Sequence, residues 1–221
     1  MRLTHMPNSP ILTRRDFIRS TALAASGLAM SSLPALAGEA AASVPAKRLE
    51  RLATGANVCR WFRFPRPDSP EHFQNYIPDS EAELMARIGL KHVRLCVAPK
   101  VIMDADTGAV RAERAPFLDA AIERFHRAGL LVMVDLHNED RPSELNPAWQ
   151  DAFVKFWGAL ASRLARFDPD LTMLEIINEP VFNNREDEWN TLNARLAAAI
   201  REKAPLHTIV TSGANWGGID G

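Results

Sequence analysis

Two short segments hold most of the residues that could do chemistry. Asn178-Glu179-Pro180 follows the apolar run 174–177, and Asp135-Leu136-His137-Asn138 closes the apolar run 130–136. A carboxylic acid at such a place can exchange a proton with a bound molecule, and partial desolvation favours its protonated form, which suits a general acid. An adjacent amide can hydrogen-bond a hydroxyl group. The proline after the acid stops the strand and fixes the direction of the chain. Asp135 and His137 share parity, so an extended strand turns both to one side. Arg94, in His92-Val93-Arg94-Leu95, is the third feature. An arginine in a buried strand needs a carboxylate partner, so a plain structural ion pair stands beside any functional role for it.

These residues need strands that present them. Runs 53–59, 91–97, 130–136, 171–177 and 208–212 are predicted as strands, and 81–88, 116–128, 147–167 and 186–203 as helices. Ser80 and Glu83 stand at capping-box spacing, with Asp79-Ser80 as the cap, and Gly89 stops that helix. Pro116 opens the second helix and Gly129 ends it; Pro147 opens the third. In the third, Phe153, Phe156, Trp157, Leu160 and Leu164 form an apolar stripe. Strict alternation of strand and helix implies a parallel sheet. Near-continuous apolar strands imply that both of its faces are covered. An open doubly wound sheet and a (β/α) barrel both satisfy this. No glycine-rich loop follows the first strand, which argues against a nucleotide-binding sheet. The polar residues sit where several different strands give out, as in a barrel.

The chain has 221 residues and a formal charge of −1, which excludes a nucleic-acid binder that works by bulk charge. Two cysteines exclude a disulfide scaffold and a four-cysteine zinc site. Residues 1–37 read as an export signal. Thr13-Arg14-Arg15-Asp16-Phe17-Ile18-Arg19 resembles the twin-arginine (Tat) class, an uncharged stretch follows, and Ala35-Leu36-Ala37 is a small-x-small cleavage site. Residues 38–52 are expected to be a linker and 53–221 the barrel. The mature chain shows no second apolar span, so a periplasmic or extracellular protein is expected. No cofactor motif is visible, and neither a cofactor nor a metal is expected.

Together the motifs resemble glycoside hydrolase family 5, the cellulase-type clan of (β/α)8 TIM barrels. The matching pieces are Gly55-Ala56-Asn57 with Trp61-Phe62, Arg94, Asp135-Leu136-His137-Asn138 and Glu175-Ile176-Ile177-Asn178-Glu179-Pro180, in the family's order along its first four strands. The resemblance implies a secreted retaining hydrolase of a β-linked polysaccharide (cellulose, β-glucan or mannan). It implies Glu179 as acid/base, Asn178 on the sugar 2-hydroxyl, His137 lining the cleavage subsite, and Arg94 holding the nucleophile's carboxylate. Asn138, Trp61 and Trp216 are further candidates for substrate contact, the tryptophans by stacking or else by packing loops. Glu175 shares parity with Glu179 and is expected to be a buried structural acid. The expected partners are a polysaccharide or oligosaccharide and the Tat machinery.

In the family the nucleophile is a glutamate ending a seventh strand, whereas this sequence covers about five β/α units. The nucleophile is therefore expected beyond residue 221. The 221 residues alone are expected to be poorly stable and inactive. Two other readings remain: a non-catalytic carbohydrate-binding barrel, and a metalloenzyme using His126, His137, Glu139 and Asp140. Asp104 and Asp106 lack calcium-loop spacing and read as a turn. Cys59 and Cys96 fall on neighbouring strands and are expected to be buried free thiols, although export would permit a disulfide.

Overall fold

In the computed structural model the described residues are 43–218. The expected signal segment and the first linker residues lie outside them. Five strands form one sheet: β1 (Gly55–Phe62), β2 (His92–Val97), β3 (Leu131–Leu136), β4 (Thr172–Glu175) and β5 (Thr208–Val210). All neighbours are parallel and the order is β1-β2-β3-β4-β5. A doubly wound sheet reverses its strand order part-way. Here each strand is added on the same side, which is how a barrel grows.

The connecting helices are α1 (Ala46–Glu50), α2 (Pro70–Asn75), α3 (Asp79–Arg87), α4 (Pro99–Ile102), α5 (Ala115–Arg127), α6 (Pro147–Leu164) and α7 (Glu186–Lys203). Their apolar stripes pack on the sheet face that carries Val93, Leu95, Val132, Val134 and Leu174. The stripe of α6 is fully buried there, and Asn146 caps that helix by accepting from the Ala148 N–H at 2.9 Å. Gly89 and Gly129 follow α3 and α5 with φ of 98° and 80°, values at which a side chain would be strained. The opposite, inner face has a smaller apolar layer of Leu131, Met133 and Met173, with Leu52 and Val210 against it.

Several expectations need correction. Within the expected linker 38–52, residues 46–50 form α1 and a 3₁₀ turn (Arg51–Ala53) follows, so the first strand starts at Gly55 and not at residue 53. Arg48 is buried there, donating to Asp170, to the Leu206 carbonyl and to the Thr208 hydroxyl. Helix α3 starts at Asp79 with Pro78 as its cap residue and no side-chain cap. Asp79 instead pairs with Arg124 and Arg127 of α5. Helix α2 has no counterpart in the sequence reading. Ser69 accepts from the His72 N–H, and Pro70 opens it. The 104–108 segment is a turn as expected, held by Asp104 accepting from the Thr107 N–H and hydroxyl.

The strand ends are pinned to one another, and this positions the site. The His137 N–H donates to the Val97 carbonyl, the Ile176 N–H to Val210 and the Asn178 N–H to Leu136. The Trp157 indole of α6 donates to the Ile176 carbonyl at 3.0 Å, so the helix layer also holds the end of β4.

Candidate active site

The inner face changes character toward the C-terminal ends of the strands. Register places Asn57 beside Arg94, Cys96 beside Asp135, and Asp135 beside Glu175. Arg94 reaches up from the layer below. Its guanidinium grips Glu175 with two bonds of 2.6 and 2.7 Å. It also donates to the Asn178 side-chain oxygen at 2.8 Å and to Asn57 at 3.3 Å, and lies 3.2 Å from Asp135. Two-pronged pairing of this kind fixes orientation as well as charge. Burial opposes the Arg94 charge, but the Glu175 hydrogen bonds and the Asp135 and Glu175 charges outweigh it and raise its pKa. Arg94 therefore stays cationic at any working pH.

Asp135 is fully buried and links two functional groups. Its Oδ2 faces Arg94 and accepts from His137 Nδ1 at 2.8 Å. That bond places the histidine proton on Nδ1 and leaves Nε2 to face outward chemistry. Glu139 lies 3.9 Å from Nε2 and is itself paired with Arg63.

Glu179 sits one residue past the Arg94-bound Asn178, with φ of 43°. A left-handed conformation at a residue with a side chain costs about 1–3 kcal/mol and clusters at functional sites. The loop after β3 holds this turn, in a 3₁₀ segment (Arg141–Leu145). Arg141 donates to both the Asn178 and the Glu179 carbonyls at 2.8 Å, and its guanidinium lies 4.0 Å from the Glu179 carboxylate. Glu144, almost completely buried, accepts from Arg141, Asn138 and the Val181 N–H. Burial raises the Glu144 pKa against the pull of those three donors. The Glu179 side chain is 52% exposed, so within the described residues it is not the desolvated acid that the sequence suggests.

The structure brings Arg94, His137, Asn178 and Glu179 together at one end of the sheet. Trp216 joins them: it is 59% exposed, its backbone N–H donates to the Pro180 carbonyl, and the Arg141 guanidinium lies 5.6 Å from its ring centre. Trp61 does not join them. It has no exposed surface, its indole donates to the Phe73 carbonyl, and it packs among Phe62, Tyr76 and Phe125. The unforeseen α2 covers it, so it presents no face to a ligand. Asn138 is also withdrawn. Its amide donates to Asp140, Ser143 and Glu144, and its oxygen accepts from the Asp140 N–H. It organises its own loop. A cleft of about 320 Å³ opens beside that loop, lined by Ala98, Pro99, Lys100, Asn138, Glu139 and Asp140.

The set His126, His137, Glu139 and Asp140 is not assembled. His126 bonds the Leu171 carbonyl, at the opposite end of the sheet from His137. Cys96, Asp135 and His137 do present donor atoms within 4.8 Å of one another. Any cation there would face the fixed charge of Arg94. The residues that sequence reasoning missed are Arg141 and Glu144. They lie in a loop without periodicity, and their only sequence signal is opposite charges three residues apart.

The sequence profile described as Cellulase (glycosyl hydrolase family 5) matches residues 53–220. The chain belongs to glycosyl hydrolase family 5. Endoglucanase C of Acetivibrio thermocellus is 27% identical over 176 residues, covering 75% of this chain and 51% of that protein. A probable glucan 1,3-beta-glucosidase A of Aspergillus niger is 30% identical over 122 residues, covering 49% of this chain and 29% of that protein. Among solved structures, Thermotoga maritima Cel5A in complex with cellobiose superposes with a TM-score of 0.66 at 23% identity, over 80% of this chain and 56% of that one. The same enzyme with mannotriose gives 0.68 at 22% identity, over 80% and 56%. This family 5 chain thus has the TIM-barrel fold, seen in the described residues as five parallel strands with helices between them. It spans about half the length of the curated relatives it matches.

Proposed function

We propose that this family 5 chain carries the acid/base side of a retaining glycosidase site that cuts β-linked glucan or a related polymer outside the cytoplasm. The observation that carries the reading is Glu179: a carboxyl in a left-handed turn four residues past the end of β4, held by Arg141 beside the Arg94-bound Asn178. Glu179 would protonate the departing oxygen and then deprotonate water. The Asn178 amide nitrogen would meet the sugar 2-hydroxyl, and His137 would line the cleavage subsite. Exposed Trp216 would stack on a sugar ring. The nucleophile would be a carboxylate from a later strand, sharing Arg94 with Glu175. Retention needs the two carboxyl groups about 5–5.5 Å apart, with one protonated and one ionised.

Residues 1–37 would direct Tat-type export. Endoglucanase activity in the Acetivibrio relative and the cellobiose and mannotriose complexes of the Thermotoga enzyme support the substrate class. The test has two parts. The genomic frame beyond codon 221 should continue and encode a strand-ending glutamate. The product of that frame should hydrolyse soluble β-glucan or mannan with retention, while residues 1–221 alone should not. Binding of glycan by the whole gene product with no turnover would replace this reading with a carbohydrate-binding barrel.

A further inference from the structure

The catalytic reading leaves one pair of reactive groups unused. Cys59 of β1 and Cys96 of β2 are free thiols whose sulfurs lie 3.6 Å apart, although the residues are 37 apart in sequence. They sit just past the Val58–Leu95 pairing, where β1 bulges. Cys96 is buried among the site's charges, with Arg94 Nη1 at 3.8 Å from its sulfur, while Cys59 is half-buried and reachable from solvent.

We propose that Cys59 and Cys96 are a redox-active dithiol which closes to a disulfide on the inner face of the site. Neighbouring strands run about 4.8 Å apart, inside the Cα separation that a disulfide tolerates. Small rotations about the Cα–Cβ bonds can bring the sulfurs to bonding distance. The co-reactant is a small-molecule disulfide. Cys59, as thiolate, attacks one sulfur of that molecule, forming a mixed disulfide and expelling one thiolate. Cys96 then loses its proton and attacks the Cys59 sulfur, which expels the second thiolate. Two protein thiols are oxidised and one disulfide is reduced to two thiols. Burial and the nearby Asp135 charge raise the Cys96 thiol pKa, which fits Cys59 as attacker and Cys96 as the resolving partner. The bridge would tie β1 to β2 beside Arg94.

The test does not depend on hydrolase activity. The whole gene product is incubated with oxidised glutathione, with and without guanidinium, and followed by intact mass and peptide mapping. The expected product lacks two hydrogens, retains no glutathione and links the Cys59 and Cys96 peptides. Ring closure should be at least about tenfold faster without guanidinium, because the fold raises the effective concentration of the pair. Cys96→Ser should hold a stable glutathione adduct at Cys59, and Cys59→Ser should react far more slowly. A lasting adduct in the native parent chain, equal closure rates with and without guanidinium, or no reaction would each overturn the proposal.

Discussion

The two faces of the sheet are built on different principles. On the helix side, Val93, Leu95, Val132, Val134 and Leu174 are buried against apolar helix stripes. On the inner side a thin floor of Leu131, Met133 and Met173 lies beneath Arg94, Asp135, Glu175 and Cys96. The first face stabilises through many interchangeable apolar contacts. The second is a set of charges centred on Arg94, which pairs with both Glu175 and Asp135, so its removal leaves two carboxylates uncompensated. Fold and chemistry are thereby assigned to opposite sides of the same five strands.

Substitution on each face should separate the two. Trp61→Ala empties a fully buried site on the helix side. It should lower stability by about 3–5 kcal/mol, read from denaturant unfolding, and no single second change should restore it. Arg94→Met on the inner face should cost a similar amount, about 3–5 kcal/mol, by stranding Glu175 and Asp135. Adding Glu175→Leu should recover part of that loss. A recovery no larger than experimental error would show that the inner charges are not coupled as described.

Glu144 gives a smaller, pH-dependent effect. Its folded pKa is raised above the ordinary 4.5, chiefly by burial. The folded state therefore holds the proton longer than the unfolded chain does. Its ionisation weakens the fold as pH rises from about 4.5 through the folded value, and the penalty is absent below that window. Glu144→Gln should flatten this part of the melting-temperature profile relative to the parent. An unchanged slope would mean that the loop under Glu179 does not depend on this buried acid.

Trp216→Ala should have the smallest effect on stability, within about 0.5 kcal/mol, because the ring is mostly exposed. Oligosaccharide affinity of the whole gene product should fall by up to about tenfold, the worth of one stacking contact. Trp61 and Trp216 thus form a pair: one should change stability with little direct contact with sugar, the other the reverse.

The helix-side face was legible in the sequence because its pattern is periodic. The α6 stripe and the apolar strands announce themselves, and sequential alternation gives a parallel sheet. Positions at or past the strand ends for His137, Asn178 and Glu179, and inside a strand for Arg94, follow from that frame. What was not legible depends on which way a side chain turns after its strand ends. Trp61 looks like a rim aromatic until α2, a single turn and a half opened by Ser69 and Pro70, closes over it. Asn138 looks like a ligand group until its loop takes up both ends of its amide. Arg48 and the Arg141–Glu144 pair act across 30 residues or more, on Asp170, Thr208, Asn178 and Val181, and no local pattern encodes such partners.

The central claim is that Glu179 donates the proton to the leaving group. It is tested most directly by Glu179→Gln in the whole gene product, assayed on β-glucan and on an aryl β-glycoside whose phenol leaves without protonation. The account predicts that polymer hydrolysis falls by about 10²–10⁴. The first step on the activated glycoside, read as the release of phenol in a burst, should be nearly unchanged. Equal losses on both substrates, or no loss on either, would contradict the assignment.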